Sequence, residues 1–251
     1  EELKHASRMS AKVDNTAIQC DYPLYHHTFF FTAEGKWVVV QQGMNVETQT
    51  ARRYHWISEN VKSFVEEPHS AICCDIKKEN ALDMTSKQSK EARKISVDLV
   101  KEGPRRIKND LLSIRPIYQK SLKEFLPLKK KEFVAHVLKM PRNINWQALQ
   151  EAYDFQPKNY EEFLGIKGIG PSTVRGLALV SEIIYGSAPS WKDPVKYSYA
   201  YGGKDGVPKP IERRAMDESI RFLDEVLKQV EIGKKEKLEA LRRLKNLVPN
   251  E

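Results

Sequence analysis

Two groups of residues in this chain have types and spacings that could act on phosphate. The first is the run LGIKGIGPSTVRGLAL, in which Gly168 and Gly170 bracket Ile169 and Pro171 follows where a helix accepts proline as its first residue. Lys167, Ser172, Thr173 and Arg175 stand around that bend. Bare peptide N–H groups beside the positive end of a helix can receive a phosphate oxygen, and hydroxyls and cations add further donors. Such contacts go to the nucleic-acid backbone and are indifferent to base sequence. The plainer reading of the same glycines is close packing of two helices. The second group is Asp14, His26, His27, Glu59 and Asp75, with Gln41 or Gln42 and with Arg52 and Arg53. Metal-dependent phosphodiester hydrolysis needs carboxylates, often helped by histidine, to hold an ion such as Mg²⁺ or Mn²⁺ and activate water. Asp14 and His27 are the candidate ligands, His26 and Gln42 their polar neighbours, and Arg52 and Arg53 the phosphate-neutralising charges. Their spacing matches no metal motif, and each histidine reads equally as an ordinary hydrogen-bonded residue.

The first group needs two helices to position it. Asn159 followed by Glu162 is a capping box for a short helix with Phe163, Leu164 and Ile166 inward, and Ile169 drops into the gap beyond. Val174, Leu177, Ala178, Val180, Ile183 and Ile184 recur at helical spacing up to Gly186. The whole arrangement resembles the helix-hairpin-helix element of DNA repair and recombination proteins. That resemblance implies a sequence-independent DNA anchor formed by Lys167, Gly168, Ile169, Gly170, Ser172, Thr173 and Arg175.

The second group needs a sheet. Residues 1–19 have a helical pattern with Leu3, Met9, Val13 and Ala17 on one side, and the chain opens inside that pattern as a piece of a longer protein would. YHHTFFFTAEGKWVVVQQG then reads as a hairpin turning at Glu34-Gly35. With those two residues as the turn, Phe31 opposes Val38, Phe29 opposes Val40 and His27 opposes Gln42, and the two histidines point to opposite faces. Residues 45–64 read as a loop and short helix carrying the basic and aromatic cluster Arg52–Trp56, which either stacks on a base or belongs to the core. Ser70–Asp75 and Ala81–Met84 read as a second hairpin, and Thr85 with Gln88 as the cap of a helix ending at Gly103.

The resulting expectation is an α+β protein: a small antiparallel sheet with flanking helices over 1–103, a basic helical linker over 104–143, and an all-α helix-hairpin-helix domain over 144–251. Residues 187–210, rich in proline, glycine and aromatic side chains, read as an ordered extension, followed by amphipathic helices at 211–230 and 237–247 that either close the domain or form a homodimer. The 251 residues carry a formal charge of +8, which favours a polyanionic partner without separating DNA from RNA. No apolar run reaches bilayer length and no signal peptide opens the chain, so the reading is cytoplasmic. Cys20, Cys73 and Cys74 contain no CxxC pair and read as reduced thiols.

Several stretches, AKVDNTAIQ, YHHTFFFTAEGKWVVVQQGMN, ARRYHWISENVKSFVEEPHS, LDMTSKQSKEAR, QPKNYEEFLGIKGIGPSTVRGLALVSEIIYG and SWKDPVKYSYAYGGKDG, together resemble the archaeal and thermophile family catalogued as domain of unknown function 763, over most of 7–220. The resemblance implies a role in DNA transactions, chiefly through the helix-hairpin-helix, and a further N-terminal block in family members. Two functions of different class follow: a metal-dependent nuclease anchored by the bend, or a non-catalytic DNA-binding accessory protein of repair or chromosome organisation.

Overall fold

The computed structural model describes residues 1–74, 76–114, 140–196 and 213–229. Helix α1 (Glu2–Thr16) leads into the short strand β1 (Ile18–Gln19), then β2 (Leu24–Phe31), β3 (Trp37–Asn45), β4 (Thr50–Ile57), β5 (Ala71–Cys74) and β6 (Leu82–Asp83). Helices α2 (Lys90–Glu102), α3 (Pro104–Ile114), α4 (Trp146–Phe155), α5 (Tyr160–Gly165), α6 (Pro171–Ile183) and α7 (Arg213–Gln229) follow. The protein is thus mixed α and β, with antiparallel sheets in its N-terminal part. One sheet has the order β2-β3-β4-β5, and β1 pairs with β6 in a second.

Three expectations change here. The β2–β3 register is displaced by one residue from that of a two-residue turn: Phe31 pairs with Trp37, Phe29 with Val39 and His27 with Gln41. Gly35 has φ +83° and its N–H reaches Thr32 O, which makes the loop three residues long with a left-handed glycine at its end. A shift of one residue exchanges the partners on every row, so His27 faces Gln41 rather than Gln42. The segment expected as loop and helix is strand β4, whose alternating Arg52, Tyr54 and Trp56 are buried. The second hairpin does not form, because β5 pairs with β4 and β6 pairs with β1.

The chain divides into two compact units, Glu1–Ser198 and Tyr199–Glu251, and α7 is the described element of the second. The boundaries expected at Gly103 and Asn143 therefore fall inside the first unit. Its core is shared: Met9 and Val13 of α1, Val39 and Trp56 of the sheet, Val97 and Val100 of α2, and Phe163, Val174 and Leu177 of α5 and α6 form one buried cluster. Gly103, with φ +102°, ends α2 and lets α3 start at once with Pro104, so the first part of the basic stretch is a packed helix with Ile107, Leu111 and Ile114 inward. Arg115 to Lys131, most of its charge, lies outside the described residues, as does the helix expected at 237–247. Residues 187–196 are ordered against the sheet, through bridges from Ser190 to Asp83 and from Lys196 to Ile72. No helix among the described residues is long and apolar enough to cross a membrane.

Candidate nucleic-acid interface and a buried polar cluster

The bend between α5 and α6 is built as its residues dictate. Asn159 Oδ1 accepts from Glu162 N–H at 2.9 Å to start α5, and Glu162 returns a bond to the N–H of Lys158 at 2.8 Å. Gly168 alone takes a positive φ, +86°, while Gly170 is the extended N-cap of α6 with φ −126°. Ile169 is 1% exposed and packs in the main core. Its own N–H is spent on Ile166 O at 3.3 Å. The N–H groups of Gly168, Gly170, Ser172 and Thr173 have no backbone partner among the described residues. They are the orphan donors that a helix start and its preceding turn leave over.

Around these amides the side chains divide. Lys167, Gly168 and Pro171 are exposed, and Gly170 and Ser172 half-buried. Thr173 is buried, so its hydroxyl does not join the surface. Arg175 donates to Gln19 Oε1 at 3.4 Å and lies over the Trp191 ring at 5.3 Å, which ties it to the 187–196 segment. The carbonyl side of the bend is held by α1, whose Lys12 Nζ donates to Ile169 O and, at 3.3 Å, to Ile166 O. Partial burial lowers the Lys12 pKa from its ordinary value.

The proposed metal group is dispersed. Asp14, 1% exposed, accepts from Gln41 Nε2 at 2.5 Å, Trp56 Nε1 at 2.9 Å and His69 Nε2 at 2.5 Å. Its two oxygens therefore serve three donors inside the core. His27 does not touch Asp14: Gln41 stands between them, and both His27 ring nitrogens are engaged, by Gln41 and Ser7. Asp14 and His27 do not fit a shared Mg²⁺ or Mn²⁺, because neither has a coordinating atom turned to a common open point. Among the described residues no three His, Cys, Asp or Glu side chains are grouped to hold a metal ion. Asp75 lies outside those residues.

The other members fall elsewhere. His26, Gln42, Arg53 and Cys73 form one cross-strand row on the opposite face of the sheet, and His26 Nε2 bonds Thr28 Oγ1 at 2.7 Å. Arg52 is fully buried and makes a two-pronged pair with Asp193, at 2.8 and 2.6 Å, besides donating to Cys20 Sγ at 3.0 Å. Burial alone would lower the Arg52 pKa, but hydrogen bonding to Asp193 raises it overall. This guanidinium braces the fold and cannot meet a phosphate. Glu59 is a surface partner of Lys36 at 2.7 Å. Trp56 takes the core alternative of the two open to its cluster. His69 and Asp193 escaped the sequence reading, and so did the burial of Arg52, for which the period-two alternation of Arg52, Tyr54 and Trp56 was the available signal, hidden by the charge on its first member.

An antiparallel sheet sharing its core with a bundle that carries a glycine bend defines the class of this protein as mixed α and β. A family model described as Protein of unknown function (DUF763) matches residues 1–211, and the chain belongs to that family. No curated protein and no solved structure matches it.

Proposed function

We propose that this chain binds the sugar-phosphate backbone of DNA, without regard to sequence, through a helix-hairpin-helix formed by α5, the bend at 166–170 and α6. The observation that carries the proposal is the pairing of a sealed Ile169 with amides at Gly168, Gly170 and Ser172 that no backbone carbonyl of the described residues takes up, next to the start of a 13-residue helix. A phosphate oxygen there meets backbone donors and the positive end of the helix together, and it displaces no existing backbone hydrogen bond. Lys167 supplies an exposed cation one residue before Gly168. The net charge of +8 supports the same partner through long-range attraction.

The working site narrows from that expected. Lys167, Gly168, Gly170 and Ser172 form its surface, Ile169 acts as the plug that sets the bend, and Thr173 and Arg175 support it from beneath. The role is that of a DNA-binding protein of repair or chromosome maintenance in the cytoplasm, with DNA held and not cleaved at this bend. A nuclease centre at Asp14 and His27 is not part of it. Fluorescence anisotropy with two unrelated labelled duplexes tests the proposal: both bind alike, and log affinity falls linearly with log salt concentration. An affinity insensitive to salt, or confined to one sequence, contradicts it.

A further inference from the structure

Where α1 faces the edge strand β2, four polar side chains form one hydrogen-bonded line from the surface into the core. Ser7 Oγ lies 2.9 Å from His27 Nε2, His27 Nδ1 lies 2.8 Å from Gln41 Oε1, and Gln41 Nε2 lies 2.5 Å from Asp14 Oδ2. The inner end sets the direction of every proton. A carboxylate only accepts, so Gln41 turns its amide NH₂ to Asp14 and its carbonyl to His27. A carbonyl also only accepts, so the hydrogen of the neutral imidazole sits on Nδ1. The Nε2 lone pair is then left to accept from the Ser7 hydroxyl.

That is the relation of a nucleophile, a base and the group that orients the base. Trp56 and His69 fix Asp14 in turn, and Tyr54 lies beside Gln41 on the neighbouring strand, so the line is held from inside. Its outer end is open: His27 is exposed and Ser7 half-buried. A groove of about 330 Å³ adjoins His27, lined by Ala11, Asn15, Leu24, Tyr25, His26 and His27. Ala11, one helical turn beyond Ser7 on α1, forms the helix side of this groove, and His27 is the member of the line that borders it. Its volume suits a small ligand.

We propose that Ser7 is the nucleophile of an acyl-transfer site with His27 as general base, Gln41 and Asp14 as positioning residues, and small carboxylic esters as the substrate class. Ser7 Oγ bonds to the acyl carbon while its proton passes to His27 Nε2, and the alcohol oxygen leaves with that proton. Water then attacks the acyl carbon, giving a proton to Nε2; Ser7 Oγ departs, recovers the proton, and a carboxylic acid is released. The amides around Ser7 are spent within α1, so the oxyanion lacks backbone donors. Covalent capture, rather than rapid turnover, is the expected signature.

The intact chain incubated with a fluorophosphonate probe decides the matter, with the modified residue located by peptide mass spectrometry. The phosphonyl group is expected on Ser7, with fluoride released. Ser7→Ala abolishes the adduct, and His27→Ala slows labelling by about a hundredfold, partly restored by added imidazole. Gln41→Leu, verified as folded by circular dichroism and an unchanged melting temperature, slows labelling of Ser7, since the imidazole loses the acceptor that fixes its Nδ1 hydrogen and ring orientation. Labelling of Ser7 no faster than in the heat-denatured chain, or undiminished by His27→Ala, overturns the proposal. Labelling at the parental rate in folded Gln41→Leu overturns the positioning role.

Discussion

Lys12 of the first helix donates to the carbonyl oxygen of Ile169, a residue 157 positions later whose side chain plugs the bend between α5 and α6. The helix that covers the sheet therefore also holds the proposed DNA-binding turn by its carbonyl side. Lys12→Met keeps most of the side-chain length and removes the donor. It should lower stability by about 1 kcal/mol and weaken DNA binding, because the carbonyls lose a charged partner. Urea unfolding monitored by tryptophan fluorescence, run alongside anisotropy, measures both. An unchanged midpoint would mean that Lys12 merely lies near the bend.

Asp14→Ala should be among the most damaging single substitutions in the chain. It leaves Gln41, Trp56 and His69 facing a buried void, and losing a buried, fully hydrogen-bonded carboxylate costs about 3–5 kcal/mol. A metal ligand at an open site would instead leave stability nearly intact. Equilibrium unfolding separates the two cases, and a midpoint close to that of the parent would contradict the buried role.

The two glycines of the bend should differ. A Cβ on Gly168 would lie 2.8 Å from both the Ala148 Cβ and the Asn145 Nδ2, at a φ of +86°. A Cβ on Gly170 meets nothing within 4 Å, and its φ is negative. Gly168→Ala should therefore cost about 1–3 kcal/mol and Gly170→Ala close to nothing. Comparing their melting temperatures checks this, and equal losses would count against the asymmetry.

His55 gives a dependence on acidity. Burial, aided by the charge of Arg53, holds its pKa below the ordinary 6.5, and its buried Nε2 has no hydrogen-bond partner among the described residues. The unfolded chain then binds a proton near pH 6.5 that the folded chain refuses, so stability rises with pH across that interval and falls on acidification. The melting temperature should drop as pH is lowered from neutral through 6.5, and His55→Phe should flatten the drop. An equal slope in both proteins would remove His55 as the source.

Much of the helical part was legible because its signals are local. Asn159, Gly168, Pro171 and the apolar spacing from Val174 to Ile183 each act over one or two turns, and they place α5, the bend and α6. The sheet was less so. Whether the β2–β3 loop holds two residues or three depends on Gly35 adopting a left-handed conformation, and that one residue moves His27 from Gln42 to Gln41. Strand β4 was hidden because Arg52 is an inward residue whose charge is met by Asp193, 141 positions away, and no local pattern announces such a partner. The same distance problem scattered the metal candidates: Asp14 finds its donors on β3, β4 and at His69, none of them adjacent in sequence.

The most direct test is the affinity of Gly170→Val for duplex DNA at low salt, set against the parent. Its Cβ stands in open space, so the fold tolerates it, while the added methyl groups screen the amides of Gly170 and Ser172. Losing even one backbone donation to a charged phosphate is worth about 1.5 kcal/mol or more, so binding to every sequence should weaken by roughly tenfold with the melting temperature unchanged. Parental affinity in a folded Gly170→Val protein would show that DNA, if bound, is held elsewhere.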